Sequence, residues 1–129
     1  MTEDAQRFQE VIKKLHPSHT DNDVFLLVLA LVYRDHPNDF DRIDACNTGT
    51  KRVYFSTSKE QIEKSGRNTH PQQIPASPYY AFTNENTQRK RSIIDQVLTL
   101  FGYSHDARAV VREAFDKIVA ARRLVEGLL

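Results

Sequence analysis

The sequence predicts an α+β fold, a mainly helical single domain with a small antiparallel β-sheet. Apolar residues recur at helical spacing in both terminal thirds of the chain, and a segment rich in β-branched and aromatic residues interrupts that period. A length of 129 residues suits one compact domain. The composition, 40% hydrophobic and 27% charged, is that of a globular protein and not of a disordered chain.

The first two elements are predicted to be helices. Thr2 can cap the first helix, whose apolar residues recur every three or four positions until His16-Pro17 ends it. Thr20 or Asp21 can cap the second helix, over 24–33. Because this helix is apolar on every face, we expect it to be the buried core element.

A short third helix follows Pro37-Asn38 and directs Phe40 and Ile43 inward. Cys46 lies at its end and is interpreted as a small buried residue. One cysteine cannot form an internal disulfide, which excludes a disulfide-stapled scaffold and favours a reducing, cytoplasmic compartment. The longest apolar run, 24–32, is about half of what a membrane helix needs. The amino terminus lacks an apolar signal core, so neither a membrane span nor export is expected.

The middle of the chain is predicted to hold two strands separated by a long loop. Residues 52–57 are typical of a strand, and Ser58 can cap a short helix over 59–65. Residues 67–78 contain three prolines and no periodicity, which predicts a loop. The second strand is expected over 79–83.

Two further helices are predicted after the turn 84–86. Thr87 caps the first of them, and Ser104 or Asp106 opens the second. The second helix forms a carboxy-terminal extension over 104–129 with an apolar stripe. Packing on its own domain is the default role of such a stripe, and a homodimer interface is the alternative.

The sequence carries no pattern typical of catalysis or metal binding. It has no glycine-rich phosphate loop, and its one cysteine has no partner at a catalytic spacing. His16 and His19 have a chelating spacing, but no cluster of acids or thiols accompanies them. We therefore expect no enzyme, no metal, no cofactor and no small-molecule substrate.

Charge is unevenly distributed although the formal net charge is only +1. Residues 48–91 contain eight basic and three acidic residues, so the rest of the chain is net acidic. A basic middle within an acidic frame can attract a polyanion to one face. A solvated surface with chance clustering is the alternative that charge alone leaves open.

The segment 83–91 is the most informative. Arg89-Lys90-Arg91 stand at the start of a predicted helix, where cations oppose the helix dipole and where free N–H groups beside cations can hold a phosphate. Asn84 and Asn86 precede them in a turn, and asparagine can pair with the N6/N7 edge of adenine. Satisfying the backbone of the turn is an equally good role for both asparagines.

Several unusual strings occur in a fixed order along the chain. They are Gly49-Thr50-Lys51-Arg52-Val53-Tyr54-Phe55, Gly66-Arg67-Asn68-Thr69-His70-Pro71, Ile74-Pro75, Pro78-Tyr79-Tyr80, and Thr83-Asn84-Glu85-Asn86-Thr87 with Arg89-Lys90. Over 21–103 they closely resemble the carboxy-terminal DNA-binding domain of the SeqA family, negative regulators of replication initiation. The resemblance assigns a DNA-binding domain to 1–103 and leaves 104–129 as the extension.

The resemblance implies a partner, double-stranded DNA, read at hemimethylated GATC sites in which one strand carries N6-methyladenine. In that family the loop matching 83–87 enters the major groove. The base- and methyl-reading residues are then Thr83, Asn84, Glu85, Asn86 and Thr87. The residues at flanking bases and phosphates are Thr50, Lys51, Arg52, Arg67, Asn68, Thr69, Arg89 and Lys90.

A methyl group on N6 leaves one N–H donor and adds apolar surface to the groove, so a reader needs a polar partner and an apolar wall. The methyl groups of Thr83 and Thr87 are candidates for that wall. We therefore expect a sequence- and methylation-specific DNA-binding protein that modulates replication initiation or chromosome organisation at the nucleoid.

Three departures from the family pattern leave alternatives open. Thr50 stands where the family has arginine, and Glu85 stands at the middle of a loop that is otherwise threonine and asparagine. The amino-terminal oligomerisation module of the family is expected to be absent. A reader of a different modified or unmodified DNA site, or a protein-interaction adaptor on the same fold, would also suit these departures.

Overall fold

The helices and strands follow the predicted order, with one strand more than expected. The computed structural model describes residues 1–47 and 51–128. In chain order the elements are α1 (Glu3–Lys13), α2 (Asp21–Asp35), a 3₁₀ helix (Phe40–Asn47), β1 (Phe55–Ser56), α3 (Lys59–Lys64), β2 (Pro71–Gln73), β3 (Tyr80–Phe82), α4 (Thr87–Leu100) and α5 (His105–Leu128). The predicted α+β architecture, mainly helical with a small antiparallel sheet, is confirmed.

Helix α2 is the central core element, as its apolar faces predicted. The side chains of Val24, Val28, Leu29 and Val32 are fully buried against the surrounding helices. Thr20 begins the helix with a capping box, in which its Oγ1 accepts from the Asp23 N–H at 3.4 Å and its own N–H donates to the Asp23 carboxylate at 2.8 Å.

The start of α1 is tied to the start of α5 rather than capped locally. Thr2 occupies the N-cap position without a capping hydrogen bond from its side chain. Asp4 instead accepts from the N–H of Ser104 at 2.8 Å and from its hydroxyl at 2.7 Å. Burial alone would raise the pKa of Asp4, but these hydrogen bonds lower it to about 2. Ser104, not Asp106, opens α5, since its Oγ accepts from the Ala107 N–H at 3.0 Å.

The sheet has three antiparallel strands in the order β1-β3-β2. Ala81 in the central strand pairs with Phe55 on one side and with Gln72 on the other. Strand β2 lies inside the segment 67–78 that was predicted to be a loop, so that prediction was wrong at this point. The sequence Pro-Gln-Gln lacks β-branched and aromatic residues, and its proline is tolerated because β2 is an edge strand.

Asn47 attaches the end of the 3₁₀ helix to β1. Its Oδ1 accepts from the N–H groups of Tyr54 at 2.7 Å and Phe55 at 3.1 Å, and its Nδ2 donates to the Phe55 carbonyl at 2.9 Å. These three bonds set the position of the strand that follows Lys51 and Arg52.

The amino-terminal half of α5 belongs to the same core as the rest of the chain. Ala107, Val111, Ala114 and Phe115 are buried where α5 packs against α1 and α4. The boundary proposed between 103 and 104 therefore separates two helices of one core. None of the helices described here is both long and apolar enough to cross a lipid bilayer.

We expect Asn47→Ala to lower the free energy of unfolding by about 2 kcal/mol, because the substitution leaves the N–H groups of two buried residues without an acceptor. Urea denaturation followed by circular dichroism measures this. Asn38→Ala, which changes an exposed asparagine beyond the end of α2, is the control and should be close to neutral. Equal midpoints for both variants would contradict the role given to Asn47.

Candidate nucleic-acid interface

The loop that joins β3 to α4 is held tightly by its own backbone and by a neighbouring segment. The N–H groups of Thr83 and Asn84 both donate to the Thr69 carbonyl at 3.3 Å, and the Glu85 N–H donates to the Thr83 carbonyl at 2.9 Å. We call residues 83–86 the reading loop. Its backbone is rigid because three consecutive N–H groups already have acceptors within the protein.

Asn84 and Asn86 are both exposed on the reading loop. Each uses one end of its amide internally: Asn84 Nδ2 donates to the Asn68 carbonyl, and Asn86 Oδ1 accepts from the Arg89 N–H at 2.8 Å. Within the described parts of the chain, Asn84 Oδ1 and Asn86 Nδ2 have no partner. The asparagines therefore satisfy the backbone of the turn and still offer one acceptor and one donor to an outside group.

Asn86, not Thr87, is the N-cap of α4. The threonines that were expected to face the groove are buried. The Thr83 hydroxyl donates to the His70 carbonyl, and the Thr87 hydroxyl donates to Asp21 Oδ2 at 2.6 Å. The prediction that their methyl groups form an apolar wall disagrees with this burial. Both side chains instead hold the reading loop on the domain.

The predicted cations divide into exposed and buried groups. Lys51, Arg52, Arg67 and Arg89 are exposed. Lys90 is only 5% exposed, and its Nζ lies 3.5 Å from Asp21 Oδ1, so the phosphate contact predicted for Lys90 disagrees with its position. Helical spacing explains the difference, because position 90 lies on the same inward face of α4 as the buried positions 87 and 94.

Arginines on aromatic supports flank the reading loop. Arg52 forms an ion pair with Glu85, and its guanidinium lies 5.4 Å from the centre of the Phe82 ring. Arg89 donates to the Tyr54 hydroxyl at 3.0 Å, and its guanidinium lies 5.8 Å from the centre of the Tyr54 ring. The Glu85 side chain, 12% exposed, is directed at Arg52, so its negative charge is largely neutralised at the surface.

The segment 67–70 supports the loop from the other side. Asn68 and His70 adopt left-handed backbone conformations with φ of 50° and 44°, and these turn the carbonyls of 68–70 toward residues 83 and 84. Arg67 is exposed and Thr69 is buried. Thr50, the remaining predicted contact, lies outside the described residues.

A polar network around the buried carboxylate of Asp21, at the base of the loop, was not predicted. Asp21 receives the Thr87 hydroxyl, and both Lys90 Nζ and Arg122 Nη2 lie 3.5 Å from its Oδ1. Arg122 also donates to the Thr87 hydroxyl oxygen at 2.6 Å. Burial alone would raise the pKa of Asp21, but the Thr87 hydroxyl and the two cations hold it below its usual value. No local sequence signal could reveal this network, because its members come from three helices.

The described residues offer little support for metal binding or for a cysteine nucleophile. Those residues contain no group of three or more histidine, cysteine or acidic side chains placed to hold a metal ion. Cys46 is partly buried, and burial raises the pKa of its thiol, which disfavours a thiolate nucleophile.

Comparison with known proteins gives consistent matches. The family model for the SeqA protein C-terminal domain matches residues 6–114. A protein named negative modulator of initiation of replication from Tolumonas auensis is 41% identical over 87 residues, which are 67% of this chain and 51% of that protein. A protein of the same name from Idiomarina loihiensis is 40% identical over 87 residues, 67% of this chain and 54% of that protein.

A solved structure is also similar. The crystal structure of V. cholerae SeqA matches with a TM-score of 0.71 and 25% sequence identity, and the match covers 88% of this chain and 99% of the other. The chain spans about half the length of the curated relatives it matches.

We expect Asp21→Asn to lower the free energy of unfolding by about 3 kcal/mol at pH 7, because it leaves Lys90 buried without a carboxylate. Urea midpoints between pH 7 and pH 3 measure the effect, with exposed Asp44→Asn as the control. The folded pKa of Asp21 is depressed, so its contribution is complete above the unfolded value of about 3.9 and is lost as the pH falls through the folded pKa. The deficit of the variant should therefore shrink below about pH 4. A deficit that stays constant down to pH 3 would argue against the ionised pair.

Proposed function

This chain belongs to the SeqA protein C-terminal domain family, and we propose that it binds double-stranded DNA at hemimethylated GATC sites through the reading loop. One observation carries the proposal: Asn84 and Asn86 stand exposed on a backbone that the protein already holds rigid, with exposed cations on both sides. A rigid loop of this size fits the major groove, where the edges of all four base pairs differ.

The free amide groups suit a site methylated on one strand. The methyl group replaces the N6 hydrogen that points into the groove, so a methylated adenine keeps N7 as its acceptor, and Asn86 Nδ2 is a matching donor. The unmethylated adenine of the other strand still shows an N6–H, and Asn84 Oδ1 is a matching acceptor. Because the threonines are buried, the apolar contact with the methyl group falls to the exposed backbone and Cβ atoms of the loop.

Exposed cations provide the contacts to the DNA backbone. Arg89 is exposed in the first turn after the reading loop, and Tyr54 holds it in place before any DNA arrives. Lys51 and Arg67 are exposed next to residues that contact the loop, Arg52 and Asn68 respectively. Such contacts position a protein on the duplex without reading its sequence. Lys90 and Thr87 act from inside the domain by holding the first turn of α4.

The relatives are named negative modulators of initiation of replication, and we extend that role to this chain as part of the proposal. Binding to newly replicated sites at the nucleoid would mask them or organise nearby DNA, without any catalytic step. Arg52 pairs with the Glu85 carboxylate. This pairing favours recognition of GATC over the alternative of a different DNA site, in which the carboxylate would accept a hydrogen bond from the N4 amino group of a cytosine.

Self-association through α5 stays a prediction. Leu124, Val125 and Leu128 lie exposed in its last turns. A second copy of the chain would cover these apolar residues in a homodimer, and a different protein would cover them if the chain acts as a protein-interaction adaptor.

We expect the wild-type chain to bind a hemimethylated GATC duplex more tightly than unmethylated and fully methylated duplexes of the same sequence. Fluorescence anisotropy with the three duplexes at one salt concentration measures this. Asn84→Ala should reduce the preference over the fully methylated duplex by about 1–2 kcal/mol, because one base contact is lost. Asn38→Ala is the matched control. Equal affinity of the wild type for all three duplexes would remove the claim of methyl reading.

Arg89→Ala should weaken binding to the three duplexes by a similar factor, because a phosphate contact carries no sequence information. The slope of log Kd against log salt should fall by about 0.9, the value for one phosphate. Arg34→Ala, an exposed arginine at the far end of α2 from Asp21, is the control for total charge. A variant that loses only the discrimination between duplexes would show that Arg89 reads bases instead.

A further inference from the structure

A polar cleft between α4 and α5 continues the surface of the reading loop. Its volume is about 570 Å³. Asn86 and Arg89, which belong to the loop and its flank, line the cleft, as does the Asp95 carboxylate of α4, which is paired with Arg108; Arg112 lines it from α5. The cleft therefore extends from the proposed DNA contact onto a helix to which neither the sequence nor the family resemblance gave a role in DNA binding.

Arg112 is the middle member of a row on α5 with helical spacing, between Arg108 and Asp116. Both outer members form ion pairs with α4: Arg108 Nε lies 3.3 Å from Asp95 Oδ1, and Asp116 Oδ1 lies 2.9 Å from Arg91 Nε. The Arg91 Nε–H lacks hydrogen-bond geometry toward that oxygen, but Arg91 Nη2 donates to the other carboxylate oxygen, Asp116 Oδ2, at 3.4 Å. Two ion pairs thus fasten α5 to α4 above and below Arg112.

Arg112 itself forms no hydrogen bond or ion pair with any residue in 1–47 or 51–128. It is half-buried, and the carboxylates of the two flanking ion pairs, Asp95 on α4 and Asp116 on α5, are already paired with other arginines. An unpaired guanidinium in a partly desolvated cleft lacks the anion that its environment favours. Arg89 forms no ion pair with a carboxylate among the described residues; its hydrogen bond goes to the Tyr54 hydroxyl, and Glu85 acts on it only through longer-range electrostatics.

We propose that this cleft takes a backbone phosphate of the DNA duplex whose bases face the reading loop, with Arg112 and Arg89 as its cationic walls. The chemistry of a phosphodiester fits, because guanidinium groups bind phosphate oxygens in bidentate fashion and Gln88, Ser92 and Gln96 add polar hydrogen-bonding groups to the lining. Arg112 thereby extends the contact surface beyond the loops that the resemblance assigns. This inference rests on the proposed function.

The test compares Arg112→Gln with Arg34→Gln, which removes one exposed charge far from the cleft. Binding to the hemimethylated duplex is measured by anisotropy from 50 to 200 mM salt. Arg112→Gln should bind about tenfold more weakly than the wild type at 50 mM salt. Between 50 and 200 mM salt, the factor by which its affinity falls should be about three- to fourfold smaller than the factor for the wild type, as expected when one phosphate contact is lost. Its preference among the three duplexes should not change. Identical salt slopes for the two variants would overturn the inference while leaving methyl-specific binding by the wild type intact.

A second measurement separates a duplex phosphate from a free anion. The Nε–H signal of Arg112 in a ¹H–¹⁵N spectrum should shift when the duplex is added and should stay unchanged with inorganic phosphate at the same ionic strength. An equal shift with inorganic phosphate would assign the cleft to small anions and overturn the proposal. Failure of the wild-type chain to bind any duplex would instead remove the proposed function, and this inference with it. Thermal unfolding of both variants checks that the helix pair remains intact.

Discussion

The carboxylate of Asp21 is the group on which the geometry of the reading loop depends. It lies at the first position of α2, accepts from Thr87 at the first position of α4, and faces the cations of Lys90 and Arg122. One buried charge thus joins three helices directly beneath the loop. Since removing a single partner from a buried ion pair leaves an uncompensated charge, the arrangement holds as a unit.

The reading loop is held by the segment 68–70 as well as by the Asp21 network. Carbonyl groups of the segment 68–70 bind the backbone and side chains of Thr83 and Asn84. The left-handed conformations of Asn68 and His70 store a small conformational cost that these contacts offset. Because the loop is ordered in advance, the proposed binding of DNA would cost little conformational entropy, and more of each base contact would appear as affinity and discrimination.

The charged residues of the basic segment serve two different purposes. Arg89 is exposed on an aromatic support, whereas Lys90, its neighbour in sequence, is buried in the Asp21 network. Arg52 neutralises Glu85, one of the two residues that depart from the family pattern. Fewer positive charges are therefore available at the surface than the count of basic residues in the sequence suggests, since only some of those side chains face outward.

The sequence by itself determined the order of the helices, the cap at Ser58, the α+β class and the family, because local periodicity and motif order are properties of neighbouring residues. It narrowed the cap of α2 to Thr20 or Asp21, and the structure decided for Thr20. It also located the reading loop. It could not locate β2, whose residues have little strand propensity and pair only because β3 is beside them. Nor could it show which cations are buried or that Asp21 and Arg122 meet beneath the loop. Those features depend on contacts between distant segments, and only the packed tertiary structure decides whether a given charge faces water or a partner.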